Sequence, residues 1–260
     1  MTAAHARPAR SAHPSRRALL RLSAPLLLAT LVALPPAAQA QRITGSGRVV
    51  SEMRTLPPFQ GVALSGSMDL VVRQGATQAV QVEIDDNLLP FLETEVSGSG
   101  DNATLQVRWK RGLSTYNLTT AKISVIVPRL TSLSASGSGD MTVEPFETPS
   151  LSIRVSGSSD TRLQKLTTAQ LQIAISGSGD VDGAGSATKL RIDVSGSGDV
   201  KLRDMKSDDV QISIAGSGDA SVHAEKSLDV RIAGSGDVTY TGNAATVNAK
   251  VAGSGSVNKR

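Results

Sequence analysis

Residues 190–199 read LRIDVSGSGD, and closely related ten-residue stretches recur on both sides of them. They read LQIAISGSGD at 171–180, VQISIAGSGD at 210–219 and LDVRIAGSGD at 228–237. The element shared by all of them, which we call the GSGD motif, ends at Asp140, Asp180, Asp199, Asp219 and Asp237, with a Gly-Ser-Ser-Asp variant at Asp160 and a Gly-Ser-Gly-Ser variant at Ser256. From Asp140 onward the spacings are 20, 20, 19, 20, 18 and 19 residues. A fixed period near 20 residues predicts a stacked solenoid, in which each repeat buries its apolar face against its neighbours.

The residues before each GSGD motif alternate between apolar and polar. Leu190, Ile192 and Val194 alternate with Arg191 and Asp193, which is the pattern of a half-buried strand. A shorter alternating stretch follows most motifs, and two such strands are too few for a stable isolated unit. If the chain coils, each strand pairs in parallel with its equivalent in the next coil. The sequence therefore predicts an all-β fold, a right-handed parallel β-helix with coils of about 20 residues.

The N-terminal half of the repeat region is less regular. A GSGD motif ends at Asp101, 39 residues before Asp140 and so close to two periods away, and residues 65–69 (SGSMD) look like a degenerate copy. We expect residues 59–130 to form irregular coils of the same solenoid and residues 131–260 to form the regular coils; a separate small β-domain is the alternative for the irregular part. Residues 41–58 are expected to be a lead-in segment, because the prolines of 56–59 (LPPF) break strand pairing where the folded part begins.

Residues 1–40 have the features of an export signal. Five arginines and no acidic residue precede an apolar stretch at 24–34, and Ala38-Gln39-Ala40 fits a signal-peptidase site with cleavage before Gln41. The apolar stretch is short for a membrane anchor. Paired Arg16 and Arg17 also fit a twin-arginine signal, so either export route is open. We expect an exported protein of the periplasm or cell surface of a Gram-negative-type bacterium, with no transmembrane segment once the leader is removed.

Removing the leader changes what the charge implies. The whole chain carries a net charge of +4, but residues 41–260 hold 22 basic and 23 acidic residues, a net charge of −1. This balance argues against nucleic acid as a partner. Cysteine is absent, which excludes disulfides and thiol chemistry.

Three segments resemble the head GIN domain family, the putative auto-transporter adhesins. They are FQGVALSGSMDLVVRQG at 59–75, VEIDDNLL at 82–89 and VPRLTSLSASGSGD at 127–140. The resemblance implies an exported bacterial β-helix with a role in adhesion. We do not expect self-transport, because the residues after the last motif leave no room for a translocator domain.

The repeated aspartates are candidates for a metal site. If Asp140, Asp160, Asp180, Asp199, Asp219 and Asp237 stack at one corner, adjacent carboxylates repel each other and would favour a bound calcium ion. The alternative is that each carboxylate accepts hydrogen bonds from backbone N–H groups of the turn. No other cofactor is expected.

These observations favour a non-enzymatic solenoid that binds an envelope or surface ligand, either a polysaccharide or a protein. A carbohydrate-active β-helix enzyme and a calcium-binding structural solenoid are the alternatives. Catalysis would need paired acids on one outer face of the irregular half. The residues to inspect there are Asp85, Asp86, Glu93, Glu95 and Trp109. A Ser-His-Asp triad would depend on His223, which we expect to be a solvated strand residue.

Overall fold

The structure is a computed structural model that describes residues 41–260; the predicted leader, residues 1–40, lies outside the described residues. Strands make up 69% of the structure and there is almost no helix. The N-terminal part contains β1 (Gln41–Thr44), β2 (Val49–Met53), β3 (Gly61–Gly66), β4 (Asp69–Gln74), β5 (Ala79–Asp85), β6 (Leu92–Ser97), β7 (Thr104–Trp109), β8 (Leu113–Tyr116) and β9 (Ala121–Val127), with 3-10 helices at Leu89–Phe91 and Gly100–Asn102. The C-terminal part contains β10 (Ser132–Gly137), β11 (Met141–Val143), β12 (Phe146–Gly157), β13 (Thr161–Gly177), β14 (Val181–Gly196), β15 (Val200–Gly216), β16 (Ala220–Gly234), β17 (Val238–Thr241), β18 (Thr246–Gly253) and β19 (Val257–Lys259).

The C-terminal part is a β-solenoid of about six turns, as the repeat predicts. Each strand pairs in parallel with its equivalent in the next coil. The first glycines of successive GSGD motifs lie opposite one another in a single line: Gly137, Gly157, Gly177, Gly196, Gly216, Gly234 and Gly253. The two strands that the sequence predicts for each coil are joined in β13 to β16, where register shifts such as that between Leu163 and Leu166 bend one long strand instead of ending it.

The core is made of aligned apolar side chains from successive coils. Ile153, Ile173, Ile192, Ile212 and Val230 form one such column, and none of them is more than 2% exposed. The alternation of apolar and polar residues places this column inside because successive strand residues point to opposite faces. The columns therefore remove apolar surface from water along the whole solenoid, which is the main favourable term in folding.

The GSGD motifs form a corner at which neighbouring coils come very close. Gly216 has a φ of +142°, a conformation that L side chains rarely adopt, and a Cβ there would overlap the carbonyl oxygen of Gly196. The second glycine of the motif, Gly218, is packed against Gly198 in the same way. Both positions therefore require glycine. The first requires it because of its positive φ, and both require it because a Cβ would overlap the backbone of the preceding coil.

The N-terminal half continues the solenoid but closes it with antiparallel strands. β3 and β4 pair in parallel with β10 and β11, so Gly66 lies opposite Gly137. β7 and β9 extend these two sheets in parallel, while β6 pairs antiparallel with β7, and β5 pairs antiparallel with both β2 and β9. The described residues belong to one compact unit.

Two expectations about this half differ from the structure. The motif ending at Asp101 does not lie in the line of corners: it forms the turn of the β6–β7 hairpin, and the degenerate copy ending at Asp69 occupies the corner next to Asp140. The lead-in segment 41–58 is not outside the fold, because β1 pairs with β8 and β2 pairs with β5. The prolines at 57 and 58 follow a paired strand and do not mark the start of the folded part.

We expect Gly216→Ala to lower the free energy of unfolding by about 2–4 kcal/mol, since it combines an unfavourable φ with overlap against the Gly196 carbonyl. In a chain of this size each kcal/mol lowers the melting temperature by roughly 2–4 °C. Ser217→Ala is the control, because Ser217 is exposed and only its backbone N–H bonds to Gly196. Thermal unfolding followed by circular dichroism measures both, and equal melting temperatures would contradict the steric account.

Candidate functional site

The predicted aspartate column lies along one corner of the solenoid. Each carboxylate accepts, through Oδ1, the backbone N–H of the aspartate one coil further on, at N–O distances between 2.8 and 3.2 Å. The column starts at Asp69 and runs through Asp140, Asp160, Asp180, Asp199, Asp219 and Asp237. It ends at Ser256, whose N–H and hydroxyl both donate to Asp237. The alternative to a metal site was that each carboxylate accepts backbone N–H groups of its turn. Such hydrogen bonds are present, but the N–H group belongs to the next coil and not to the same turn.

Basic side chains on the strand after the corner lie beside the carboxylates. Lys201 Nζ is 2.8 Å from Asp180 Oδ2 and 3.7 Å from Asp199 Oδ2. Partial burial raises the pKa of Asp180, but the Lys201 ammonium and the Asp199 N–H outweigh it, so the net pKa is lowered. Arg162 has a raised pKa, through its ion pair with Asp182 and the nearby charges of Asp140 and Asp160. Like-charge repulsion along the column is thus offset partly by the protein's own cations.

Calcium binding by the column stays a prediction. Among residues 41–260 no group of three or more histidine, cysteine, aspartate or glutamate residues is arranged to hold a metal ion. One oxygen of each carboxylate is occupied by a backbone N–H, and the second oxygen of Asp180 is occupied by Lys201. A cation at that position would have to displace the Lys201 ammonium.

Two of the acids that the enzyme alternative singled out hold the N-terminal segment in place. Asp85 is fully buried and accepts hydrogen bonds from the N–H groups of Gly47 and Thr119, both at 2.9 Å. Burial raises the pKa of Asp85, but these hydrogen bonds outweigh it and the pKa is lowered. Asp86 bonds to the Ser46 hydroxyl and to the guanidinium of Arg48, which together lower its pKa. Both carboxylates therefore accept hydrogen bonds that hold residues 46–48 against the fold.

The remaining candidate acids are paired on the β6–β7 hairpin. Arg108 contacts Glu93 at 3.0 Å and Glu95 at 3.3 Å, across adjacent strands. Trp109 is half-buried, and its ring lies against the Gly66 corner. The structure thus provides an ion-paired surface at these positions, where an acid catalyst would need a carboxyl group free to exchange a proton.

We expected His223 to be a solvated strand residue. In the structure it is half-buried and hydrogen-bonded. Its Nε2 lies 2.7 Å from Glu225 Oε1 and its Nδ1 lies 3.0 Å from the hydroxyl of Thr241. The hydrogen bond from His223 is the main reason that the pKa of Glu225 is lowered. His223 and Thr241 are register partners in β16 and β17, so their contact follows from coil pairing, and the three side chains tie two coils together.

A polar groove crosses the outer face of β13 to β16. Its volume is about 390 Å³, and four successive coils line it with Gln170, Gln172, Lys189, Arg191, Asp209, Gln211 and Ser227. Arg191 makes a two-point contact with Asp193, at 2.8 and 2.9 Å, and reaches Gln211 Oε1 at 3.4 Å. The groove presents amide, guanidinium, ammonium and carboxylate groups together, which suits it to recognising hydroxyl and other polar groups.

Sequence reasoning identified the outward columns but not the groove. Gln172, Arg191 and Gln211 are visible as the polar members of the alternating stretches. A register shift between Ser207 and Asp209 lies at the groove wall. Coil lengths of 18 to 20 residues are the only sequence signal of such shifts.

The architecture and this exposed polar surface define a class of protein, a β-solenoid with a polar outer face. The chain belongs to the head GIN domain family, described as a putative auto-transporter adhesin, and the family model matches residues 58–244. A comparison with curated proteins gave no match. Within residues 41–260 there is no helix long and apolar enough to cross a membrane.

Solved bacterial structures share the fold. A putative adhesin from Bacteroides fragilis is 23% identical with a TM-score of 0.76, covering 84% of this chain and 100% of the other. A putative adhesin from Parabacteroides merdae is 22% identical with a TM-score of 0.70, covering 85% and 100%. A putative lipid binding protein from Parabacteroides distasonis is 27% identical with a TM-score of 0.66, again covering 85% and 100%.

We expect Asp219→Ala to lower the melting temperature by a few degrees, because it removes the acceptor for the Asp237 N–H, a bond of about 1 kcal/mol or somewhat more. Asp219→Asn is the matched control: it keeps a side-chain oxygen and should lose less. Both are measured with EDTA and with excess calcium. A calcium-dependent rise in the melting temperature of the unaltered protein, lost in Asp219→Asn, would show that the column binds the cation and would overturn a purely structural role.

Asp85→Asn should destabilise the protein by about 2–3 kcal/mol at neutral pH, because an amide NH₂ would face a backbone donor in a buried site. Since the pKa of Asp85 in the folded state lies below its ordinary value of 3.8, its stabilising contribution is complete above that pH and is lost as the pH falls through the folded-state pKa. The difference between variant and unaltered protein should therefore shrink in acid. Urea unfolding at several pH values measures it. Asp101→Asn, at an exposed position, is the control, and a pH-independent difference would contradict the assignment.

Proposed function

We propose that the protein is an exported, non-enzymatic, adhesin-like binding module that contacts its ligand through the groove on the outer face of β13 to β16. The observation that carries the proposal is the gathering of polar side chains from four successive coils in one shallow groove. Membership of the head GIN domain family supports the adhesin-like role and export to the periplasm or cell surface.

The chemistry of the groove favours an extended polysaccharide. Equivalent positions on successive coils repeat every 4.8 Å or so, so donors and acceptors recur at regular intervals along the solenoid. A polysaccharide presents hydroxyl groups with comparable regularity, and Gln172, Arg191 and Gln211 supply donors and acceptors for them. The three side chains are exposed in the structure, so a ligand can reach them without rearrangement of the core.

The candidate acids are already ion-paired or hydrogen-bonded, which supports a role without catalysis. Glu93 and Glu95 share Arg108, and Asp85 is buried under backbone donors. A glycoside hydrolase needs one carboxyl group to donate a proton and a second to act as base or nucleophile. These acids instead serve the hairpin and the N-terminal segment.

The test is binding to an array of bacterial surface polysaccharides. Arg191→Ala and Gln172→Ala should each weaken binding about tenfold, the effect of losing one hydrogen bond to a charged or well-placed polar group. Arg162→Ala is the matched control, because Arg162 is also an exposed arginine paired with an aspartate, but on the strand after the corner.

Three outcomes would contradict the proposal. An equal loss of polysaccharide binding in Arg162→Ala would show that the binding site is not confined to the groove. Binding to cell envelopes that survives glycan oxidation but not protease treatment would identify a protein ligand. Release of reducing ends from a bound polysaccharide, followed over time, would favour the carbohydrate-active enzyme.

A further inference from the structure

The coil formed by β18 and β19 leaves one face of the solenoid core uncovered. Val247 and Val251 are 40% and 42% exposed, whereas their register partners in β16, Leu228 and Ile232, are 1% and 2% exposed. All eight residues of β18 are exposed. Among the described strands β18 pairs with β16, and its other edge carries unpaired backbone groups.

This edge lacks the usual protection against strand pairing. Sheet edges are commonly protected by proline, bulges, several charges or a covering element. β18 contains a single charged residue, Lys250, and no proline, and it pairs with β16 without a register shift. At the opposite end of the solenoid the antiparallel strands β2, β5 and β6 extend the sheets beyond the parallel coils. An eight-residue edge whose inward residues are apolar is a site where another strand can add.

We propose that a second copy of this chain docks on β18, by antiparallel pairing of the two β18 strands about a two-fold axis at Ala249. The inward residues of β18 are self-complementary about this point: Val247 lies opposite Val251 of the partner, and Ala249 lies opposite itself. Residues directly opposite in an antiparallel pair point to the same face, so the apolar column of each copy continues into the other.

The charges of the outward face favour the antiparallel arrangement. Lys250 would lie opposite Asn248 of the other copy. Since Asn248 is the register partner of Asp229, Lys250 would join the column of the other copy that contains Asp229. This register also keeps the two Lys250 ammonium groups from lying directly opposite each other. Like charges directly opposite in a sheet are destabilising.

The GSGD column also disfavours head-to-tail addition. At every earlier corner an aspartate accepts the N–H of the next coil, but the last position is Ser256. Its hydroxyl donates to Asp237 and already accepts a hydrogen bond from Asn258 Nδ2 at 2.8 Å. A further coil would find no carboxylate there. The closed two-fold contact gives a dimer, whereas a head-to-tail contact would give an open filament.

Sedimentation of protein purified after expression of the full sequence tests the dimer. We expect a concentration-dependent dimer, and a monomer for the double variant Val247→Lys and Val251→Lys. The control is Val49→Lys with Met53→Lys, which changes the other exposed large apolar residues and should leave the dimer intact. A protein that is monomeric at all concentrations, a filament, or a dimer that survives the β18 variant would overturn the proposal.

Cross-linking tests the symmetry and does not require a destabilising change. The sequence has no cysteine, so Ala249→Cys introduces a single thiol. The proposed axis places the two residues 249 directly opposite each other, within the separation that a disulfide spans. Oxidation should give a covalent dimer of Ala249→Cys and none of Met53→Cys. Absence of the covalent dimer in a folded Ala249→Cys protein would reject the two-fold register even if the protein dimerises.

Discussion

The close contact between glycines of successive coils is the constraint on which the rest of the structure depends. At each corner the first glycine of the GSGD motif lies against the backbone of its equivalent one coil earlier, with no space for a Cβ. Contact at this distance fixes the register, because a slip by one residue would bring a serine to the glycine position and turn every buried residue outward. The apolar columns, the aspartate column and the outer polar columns are all consequences of that register.

The aspartates are best understood as part of the same constraint. A tight corner leaves a backbone N–H that the regular strand ladder does not reach, and the aspartate of the preceding coil supplies the acceptor. The cost is a row of carboxylates one coil apart, each repelling the next. Lys201 and Arg162 sit where they reduce that repulsion. A motif whose spacing suggests a metal site can therefore be explained by the hydrogen bonding of the backbone.

The regular half could be predicted from the sequence because a short-range pattern repeats there. Alternation places Ile192 inside and Arg191 outside, and the period aligns each with its neighbours. The irregular half could not, because its pairings join distant segments. Asp69 and Asp140 are adjacent in space but 71 residues apart, and the intervening hairpin contains a GSGD turn that imitates the period. The bond between His223 and Thr241 and the groove depend on local register, of which the unequal coil lengths are only an indirect signal.

The two ends of the solenoid solve the same physical problem differently. A stack of identical coils has no intrinsic stopping point, since each coil presents to the next the surface that it buried against the one before. At the N-terminal end the chain changes from parallel to antiparallel pairing, and β2 and β6 are the outermost of the described strands. At the other end the backbone edge stays open, but Ser256 replaces the aspartate that would receive the next coil. The corner at Ser256 therefore offers a further coil no carboxylate acceptor, while the edge of β18 stays available. These two properties together favour pairing with a surface of reversed direction over continued stacking.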